Sequence, residues 1–386
     1  MARGEFYNSS YGGNSHERRS PLMFLVDSLL TLLSGVAFVL MLLVWIVPRV
    51  DPAYMWALPM LGLVAPAIYV MTVLLCLYWV IRWRLKRALL LLGMVLLGAF
   101  SVSLFWRPES HRAVLQRKYD KELSYGRSAI KVLTYNIRQL YDDRGESAAD
   151  AVAGLIDSLR PEILCLQEYN AGLAERSERF RAVLDRYKHA TFSLKKGESY
   201  PQMILSTFRI LRSGVITTPR TSVWADLLVR DDTMRVVSNH LQSTGITALD
   251  NAYITGYEYL LDTAREEKIR SIVGRFHENC VLRADQVDSI RTHLDAAAPR
   301  YQIVCGDFND TPISYTYRRM ARGLNDAFAE CGSGYSHTFR GFFNALRIDY
   351  VLASENFEIL SYEVLDVPHS DHLPLLVRLK KQTPYN

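Results

Sequence analysis

From residue 129 onward, six apolar runs of this 386-residue chain are broken by polar residues able to do chemistry. Asn136 follows VLTY, Glu168 ends LCLQ, and Asn239 and His240 end RVVS. Asp307, Asn309 and Asp310 follow QIVCG, Asp349 interrupts RIDYVLAS, and Asp371 and His372 stand ahead of LPLLVRL. Any one of these suits a wet strand end, where Asn, Asp and Gly make turns. Together they form a coherent kit. Glu168 and Asp371 offer hard carboxylate oxygens and Asn136 a neutral one. That donor set suits Mg²⁺, which takes one or two carboxylates and keeps waters for phosphate oxygens. Such a cation neutralises charge developing on a phosphoryl group. His372 paired with Asp349 would have a fixed tautomer and a stabilised imidazolium. Asp307 would orient or deprotonate an attacking water, and Asn309 would donate to a phosphate oxygen. His240 is a second candidate acid or phosphate ligand. The kit points to phosphoester hydrolysis.

The motifs TYNIR, CLQE, SNHLQS, CGDFND, RIDYVLAS and HSDHLP occur in that order. The set resembles the endonuclease/exonuclease/phosphatase family, with its deoxyribonuclease I-like fold, in a membrane-anchored, bacterial-type member. The resemblance covers residues 129–380. It implies a four-layered α/β/β/α sandwich and Mg²⁺-dependent cleavage of phosphodiesters or phosphomonoesters, with Mn²⁺ as a substitute ion. By position, Glu168 resembles the family's metal glutamate, Asn136 the asparagine beside it, which also touches substrate, and Asp371 the carboxylate near the metal. Asp307 and Asn309 resemble the water-orienting and phosphate-binding pair, and Asp349 the support of the terminal histidine, His372. His240 resembles the second histidine of the deoxyribonuclease and sphingomyelinase branches. Gln202 stands about where the former has a carboxylate behind that histidine, so the partner of His240 is left open.

The elements that must position these residues alternate. AIKVLTYNI reads as a strand, and residues 147–159 place Val152, Leu155, Ile156 and Leu159 on one helical face, with Ser147 as N-cap. A strand at EILCLQE is followed by others at 189–194, 202–207, 223–229, 234–241, 302–306, 347–353 and 373–379. Helical stretches are expected at 257–276 and 281–296. So many strands with helices between them predict two packed sheets covered by helices. The 241–280 stretch, with Tyr253, Tyr257 and Tyr259, is longer than a minimal loop and reads as a surface helix, a lid or a membrane-facing element.

The N-terminal part has a different composition. After a polar tail (1–21), three apolar runs lie within 22–106, at 22–47, 57–81 and 88–106, each of bilayer-spanning length. Trp45, Trp56, Trp79, Trp83 and Trp106 fall near the run ends, as an aromatic belt does. Pro59 and Pro66 predict kinks. The loop RWRLKR carries Arg82, Arg84, Lys86 and Arg87, and the tail adds Arg3, Arg18 and Arg19. The positive-inside rule therefore puts tail and loop in the cytoplasm and the domain after the third run outside, on the periplasmic side. Arg107, Arg112, Arg117, Lys118 and Lys121, in a linker at 107–128, pull the other way.

The net charge of +5 is mild and sits around the apolar runs, which does not make a nucleic-acid footprint. The five cysteines lack C-x-x-C spacing, so a zinc site is not expected. The reading is a membrane-anchored phosphoesterase acting on nucleic acid or on a phospholipid or sphingolipid headgroup, with the lipid bilayer as its other partner and no protein partner indicated. The alternative is a non-catalytic membrane protein that binds a phosphate ligand on the same fold.

Overall fold

Two uncharged or nearly uncharged runs form long helices, α1 (Pro21–Ile46) and α2 (Leu58–Ile81). The computed structural model describes residues 21–109, 129–142, 144–193, 200–216, 222–256, 262–297 and 299–382. The tail before Pro21, residues 110–128 of the linker, Tyr257 and Tyr259 lie outside the described residues. At about 1.5 Å per residue, the 24 residues of α2 reach roughly 36 Å, enough for a bilayer core of about 30 Å. Asp27, the one charge of α1, is tolerated because Arg82 Nη2 meets its Oδ2 at 2.9 Å and Tyr78 donates to its Oδ1 at 2.6 Å. Pro59 falls in the first turn of α2, where its missing N–H breaks no helical bond, and Pro66 lies inside the helix.

The third run departs from expectation. It forms α3 (Leu85–Leu97), whose 13 residues span only about 20 Å, and then a five-residue α4 (Ala99–Ser103). Among the described residues, two helices rather than three are long and apolar enough to cross a membrane. Gly98 makes the break against α2, where a Cβ would lie 2.1 Å from the Tyr69 hydroxyl. The end of the run is taken up elsewhere. Leu104 packs with Val237, Val304 and Leu352 of the following domain, and β1 (Trp106–Arg107) pairs with β11 (Gly334–Tyr335). Arg347, fully buried against Asp326, donates to Leu104 O at 3.0 Å.

Two six-stranded sheets follow. One has the order β13 (Phe357–Val364), β14 (Leu375–Lys381), β2 (Ala129–Asn136), β3 (Ile163–Gln167), β5 (Met203–Ser206) and β4 (His189–Phe192). The other runs β10 (Leu324–Asp326), β12 (Asp349–Ser354), β9 (Tyr301–Asp307), β8 (Asp232–His240), β7 (Ser222–Val229) and β6 (Arg209–Ile216). Period-2 burial builds the core between them from Val132, Cys165, Val236, Cys305 and Val377. Opposite faces carry helices: α5 (Ala149–Leu159), α6 (Ala171–Arg176) and α7 (Glu178–Leu184) cover the first sheet. On the second lie α9 (Arg265–Ala297) and α10 (Tyr315–Met320).

Two local expectations change. The N-cap position of α5 falls on Ala148 rather than Ser147, although Ser147 Oγ still accepts the Ala149 N–H at 3.4 Å. The two helices expected at 257–276 and 281–296 are one 33-residue helix, α9. No Gly or Pro stands between them, and the inner face continues through Phe276, Cys280, Val287 and Leu294.

Candidate active site

Strand register assembles the polar residues before any side chain is considered. β8 and β9 run parallel with His240 beside Asp307, and β12 runs antiparallel to β9 with Asp349 beside Asp307. Three strands thus present His240, Asp307 and Asp349 in one row. On the other sheet, β2 and β3 run parallel with Asn136 beside Gln167, which brings Glu168 next to Asn136. Gly306 makes the close approach possible: its φ is +117°, and a Cβ there would lie 2.1 Å from Asn239 O.

Asp307 is the hub, fully buried. Its Oδ1 accepts the Asn309 backbone N–H at 2.8 Å, and its Oδ2 accepts Asn136 Nδ2 and Asn309 Nδ2, each at 3.1 Å. The same Oδ2 lies 3.7 Å from His372 Nε2 and 3.8 Å from His240 Nε2. Asn309 adopts φ +53°, a left-handed conformation that Asn tolerates better than most residues. Its second amide hydrogen goes to Leu241 O at 3.0 Å, so in this geometry Asn309 holds Asp307 and the loop after His240 together. The carboxylate neighbours of His240 are Glu168 Oε1 at 3.6 Å and Asp307. Gln202 is buried, its backbone bonded to Ser193 and its Oε1 without a hydrogen bond.

His372 Nδ1 meets Asp349 Oδ2 at 3.0 Å, which fixes the ring. Thr338 Oγ1 accepts the backbone N–H groups of Ile348 and Asp349, each at 3.0 Å, and the Phe339 ring lies 5.0 Å from the imidazole. Burial by itself would push the His372 imidazole down, but the Asp349 and Asp307 carboxylates outweigh it and hold it up at about 10. Burial pushes the Asp349 carboxyl up to about 6, against the pull of the imidazolium. At neutral pH both members are therefore charged, the imidazolium held against the Asp349 carboxylate.

The donor chemistry fits a divalent cation. Glu168 and Asp371 are about one-quarter and one-third exposed, and both keep lone pairs beyond their hydrogen bonds. Asn136 bridges them. Its Nδ2 donates to Glu168 Oε1 at 3.3 Å, its backbone O accepts Ser370 Oγ at 2.8 Å, and Ser370 in turn reaches Asp371 Oδ1 at 3.3 Å. Asn136 Oδ1 accepts the Arg138 N–H at 3.1 Å. Asp307, Asp349 and His372 offer a second set of ligand atoms within 4.8 Å of one another. That set is buried and already hydrogen-bonded internally, so the more open oxygen set suits a water-carrying Mg²⁺ better.

A cavity of about 380 Å³ reaches this cluster through Asn309 and Asp371, with Asp310, Arg138 and Arg340 also in its lining. The 241–280 stretch forms one wall through Ile246 and Asn251, and Asn251 Oδ1 accepts the Phe342 N–H at 3.1 Å. α8 (Ala248–Thr255) opens with a Thr247–Asp250 capping box. Sequence reading did not single out Ser370, Thr338, Arg138 or Arg283. Ser370 and Arg138 stand inside HSDHLP and TYNIR, where motif position was a usable signal. Arg283, buried in α9, donates to Gln242 O at 2.9 Å and to Asp310 Oδ2 at 3.4 Å. Nothing in its sequence neighbourhood marked it.

The Endonuclease/Exonuclease/phosphatase family profile matches residues 133–372, and a domain of unknown function (DUF8431) matches residues 27–105. No curated protein matches the chain. Among solved structures, an endonuclease/exonuclease/phosphatase from Beutenbergia cavernae is 18% identical with a TM-score of 0.47, covering 66% of this chain and 72% of that one. An endonuclease/exonuclease/phosphatase family protein from Bacteroides thetaiotaomicron is 16% identical, with a TM-score of 0.48 and coverage of 66% and 99%. The human Nocturnin catalytic domain, solved with a sulfate anion, is 20% identical, with a TM-score of 0.45 and coverage of 66% and 95%.

Proposed function

We propose, from the premise that the chain belongs to the endonuclease/exonuclease/phosphatase family, that it is a membrane-anchored hydrolase of phosphodiester bonds. The observation that carries this reading is the convergence on Asp307 Oδ2 of two amides at 3.1 Å and two imidazoles within 3.8 Å. A single buried carboxylate held by Asn136 and Asn309 is a positioned base, and two imidazoles beside it can serve developing charge on opposite sides of a phosphorus.

Asp307 orients a water and takes its proton while the water oxygen bonds to phosphorus. The bond from phosphorus to one ester oxygen breaks, and His240 protonates the departing oxygen. His372, charged and fixed by Asp349, stabilises the non-bridging phosphoryl oxygens. Asn309 keeps Asp307 aimed, and Asn136 touches both carboxylates that flank it. Mg²⁺, or Mn²⁺ in its place, would be held by Glu168, Asp371 and Asn136 and would neutralise phosphoryl charge.

The anchoring part of the proposal rests on α1 and α2, with α3 and α4 returning beside α2. Thr311 Oγ1 donates to Gly62 O at 3.2 Å and His277 Nε2 lies 3.1 Å from Pro52 O, so the hydrolase domain sits at the end of the bundle that carries the 47–57 connection. The basic 82–87 loop is at the other end. The positive-inside rule then assigns the loop and N-terminus to the cytoplasm and the hydrolase domain to the periplasmic side.

The test is hydrolysis of bis(p-nitrophenyl) phosphate by the full chain in detergent, with Mg²⁺ or with chelator. Asp307→Ala should lower kcat by about 10²–10⁴-fold at unchanged fold. Full activity in that variant, or in chelator, would overturn the reading.

A further inference from the structure

A helix long and apolar enough to span a bilayer reaches the active-site cavity. Leu63 of α2 lines it together with Asn309 and Asp371. From Leu63 an apolar stripe continues along α2 through Pro66, Ala67, Val70 and Leu74, at the i, i+3, i+4, i+7 and i+11 spacing that keeps one helical face. Pro66, Val70 and Leu74 line a second, open hollow of about 700 Å³ between α2 and Leu30 of α1, and Tyr335 of the hydrolase domain also lines it. Val70 and Leu74 are 60% and 61% exposed on a helix long enough to span the bilayer. The polar cavity and the bilayer-facing hollow are therefore joined along a single helix face.

The rim fits the same picture. Phe342, Phe343 and Asn344 hold φ values of +51°, +63° and +55° in succession, a costly conformation for aromatic residues. Phe342 lines the cavity, and Phe343 beside it is 61% exposed. Aromatic rings at the mouth of a site seated on a transmembrane helix are suited to the headgroup layer. Arg138 and Arg340 stand at the cavity beside Asp310 and Asp371, giving a phosphate cations within a site that also offers carboxylates for a metal. A volume of about 380 Å³ is in the range of small-molecule pockets.

We propose that the substrate is a membrane lipid with a phosphodiester headgroup, its headgroup in the active-site cavity and an acyl chain along the Leu63–Leu74 stripe of α2. This rests on the phosphoesterase reading above and names its substrate class. The bilayer delivers the lipid sideways, so the enzyme need not extract it through water.

The experiment uses the full chain in vesicles of dioleoylphosphatidylethanolamine, dioleoylphosphatidylglycerol and sphingomyelin, with Mg²⁺, counting headgroup released to water. Dihexanoyl lipids, bis(p-nitrophenyl) phosphate and plasmid DNA are run in parallel. Headgroup release from the vesicles, absent in Asp307→Ala, is the expected result. The double variant Val70→Trp/Leu74→Trp should lose about tenfold on the long-chain lipid, the worth of roughly two buried methylenes, and less on the dihexanoyl form. Leu90→Trp, exposed on α3 away from the stripe, should match the wild type. Equal loss on both chain lengths, or none on either, overturns the acyl-chain path. Hydrolysis of the soluble diester or of DNA without headgroup release overturns the lipid assignment and leaves the phosphoesterase reading standing. No hydrolysis of any substrate overturns both.

Discussion

His372 Nε2 lies 3.7 Å from Asp307 Oδ2 while Asp349 holds the other ring nitrogen at 3.0 Å, so one imidazole stands between two buried carboxylates. In metal-free protein its pKa should be raised to about 10 from an ordinary 6.5. A raised histidine pKa stabilises the fold fully below the unfolded value and loses that contribution as pH climbs through the folded one. Stability from this group should therefore decline between about pH 6.5 and 10, above the region near 6 where Asp349 titrates. NMR titration of the imidazole tests this directly. Asp307→Asn, which removes one of the two anions, should bring the pKa down; an unmoved value would show that Asp307 does not hold the charge.

Gly306 is the residue on which the row of three strands depends. Gly306→Ala would put a Cβ 2.1 Å from Asn239 O at φ +117°. Strain and overpacking together should cost about 3 kcal/mol or more. Thermal unfolding of the full chain in detergent should show a clearly lowered midpoint, and a wild-type midpoint would contradict the backbone geometry.

Gly62 joins α2 to the loop that carries Asn309. A Cβ there would lie 2.4 Å from Ile313 O, and Thr311 Oγ1 already bonds to Gly62 O at 3.2 Å. Gly62→Val should displace the 308–313 loop, and a shift of about 1 Å in a catalytic constellation can cost on the order of 10²-fold in rate. The measurement is kcat/KM on the soluble diester. Unchanged kinetics would mean that α2 and the site are mechanically independent.

A fusion after Asn386 reports the side of the membrane. Alkaline phosphatase placed there should be active and a cytoplasmic reporter silent. The reverse pattern would invert the topology and put the site on the side of the 82–87 loop.

Much of the candidate site was legible because it is made of strand ends. Polar residues closing apolar runs are visible in one dimension, and Asn136, Glu168, His240, Asp307, Asn309, Asp349 and His372 were all found that way. Residues that act from helix faces were not: Arg283 in α9 and Leu63 in α2 carry no local signal, since their neighbours are ordinary for a surface helix and a span. The third apolar run was misread for a related reason. Hydropathy counts residues but does not say what they pack against: Leu104 packs on the following domain, and Trp106 pairs there with Tyr335.

By itself the sequence determined the two-part character of the chain, the alternation of strands and helices and the chemical types gathered at the site. Those follow from periodicity, span length and side-chain functional groups, all local properties. Tertiary structure alone decided that Asp307 Oδ2 is the point of convergence, because register across β8, β9 and β12 is a long-range choice. It also decided that Leu63 of α2, a helix long and apolar enough to cross a membrane, lines the cavity. That contact joins Leu63 to residues far along the chain, and only packing brings segments so distant in sequence into one surface.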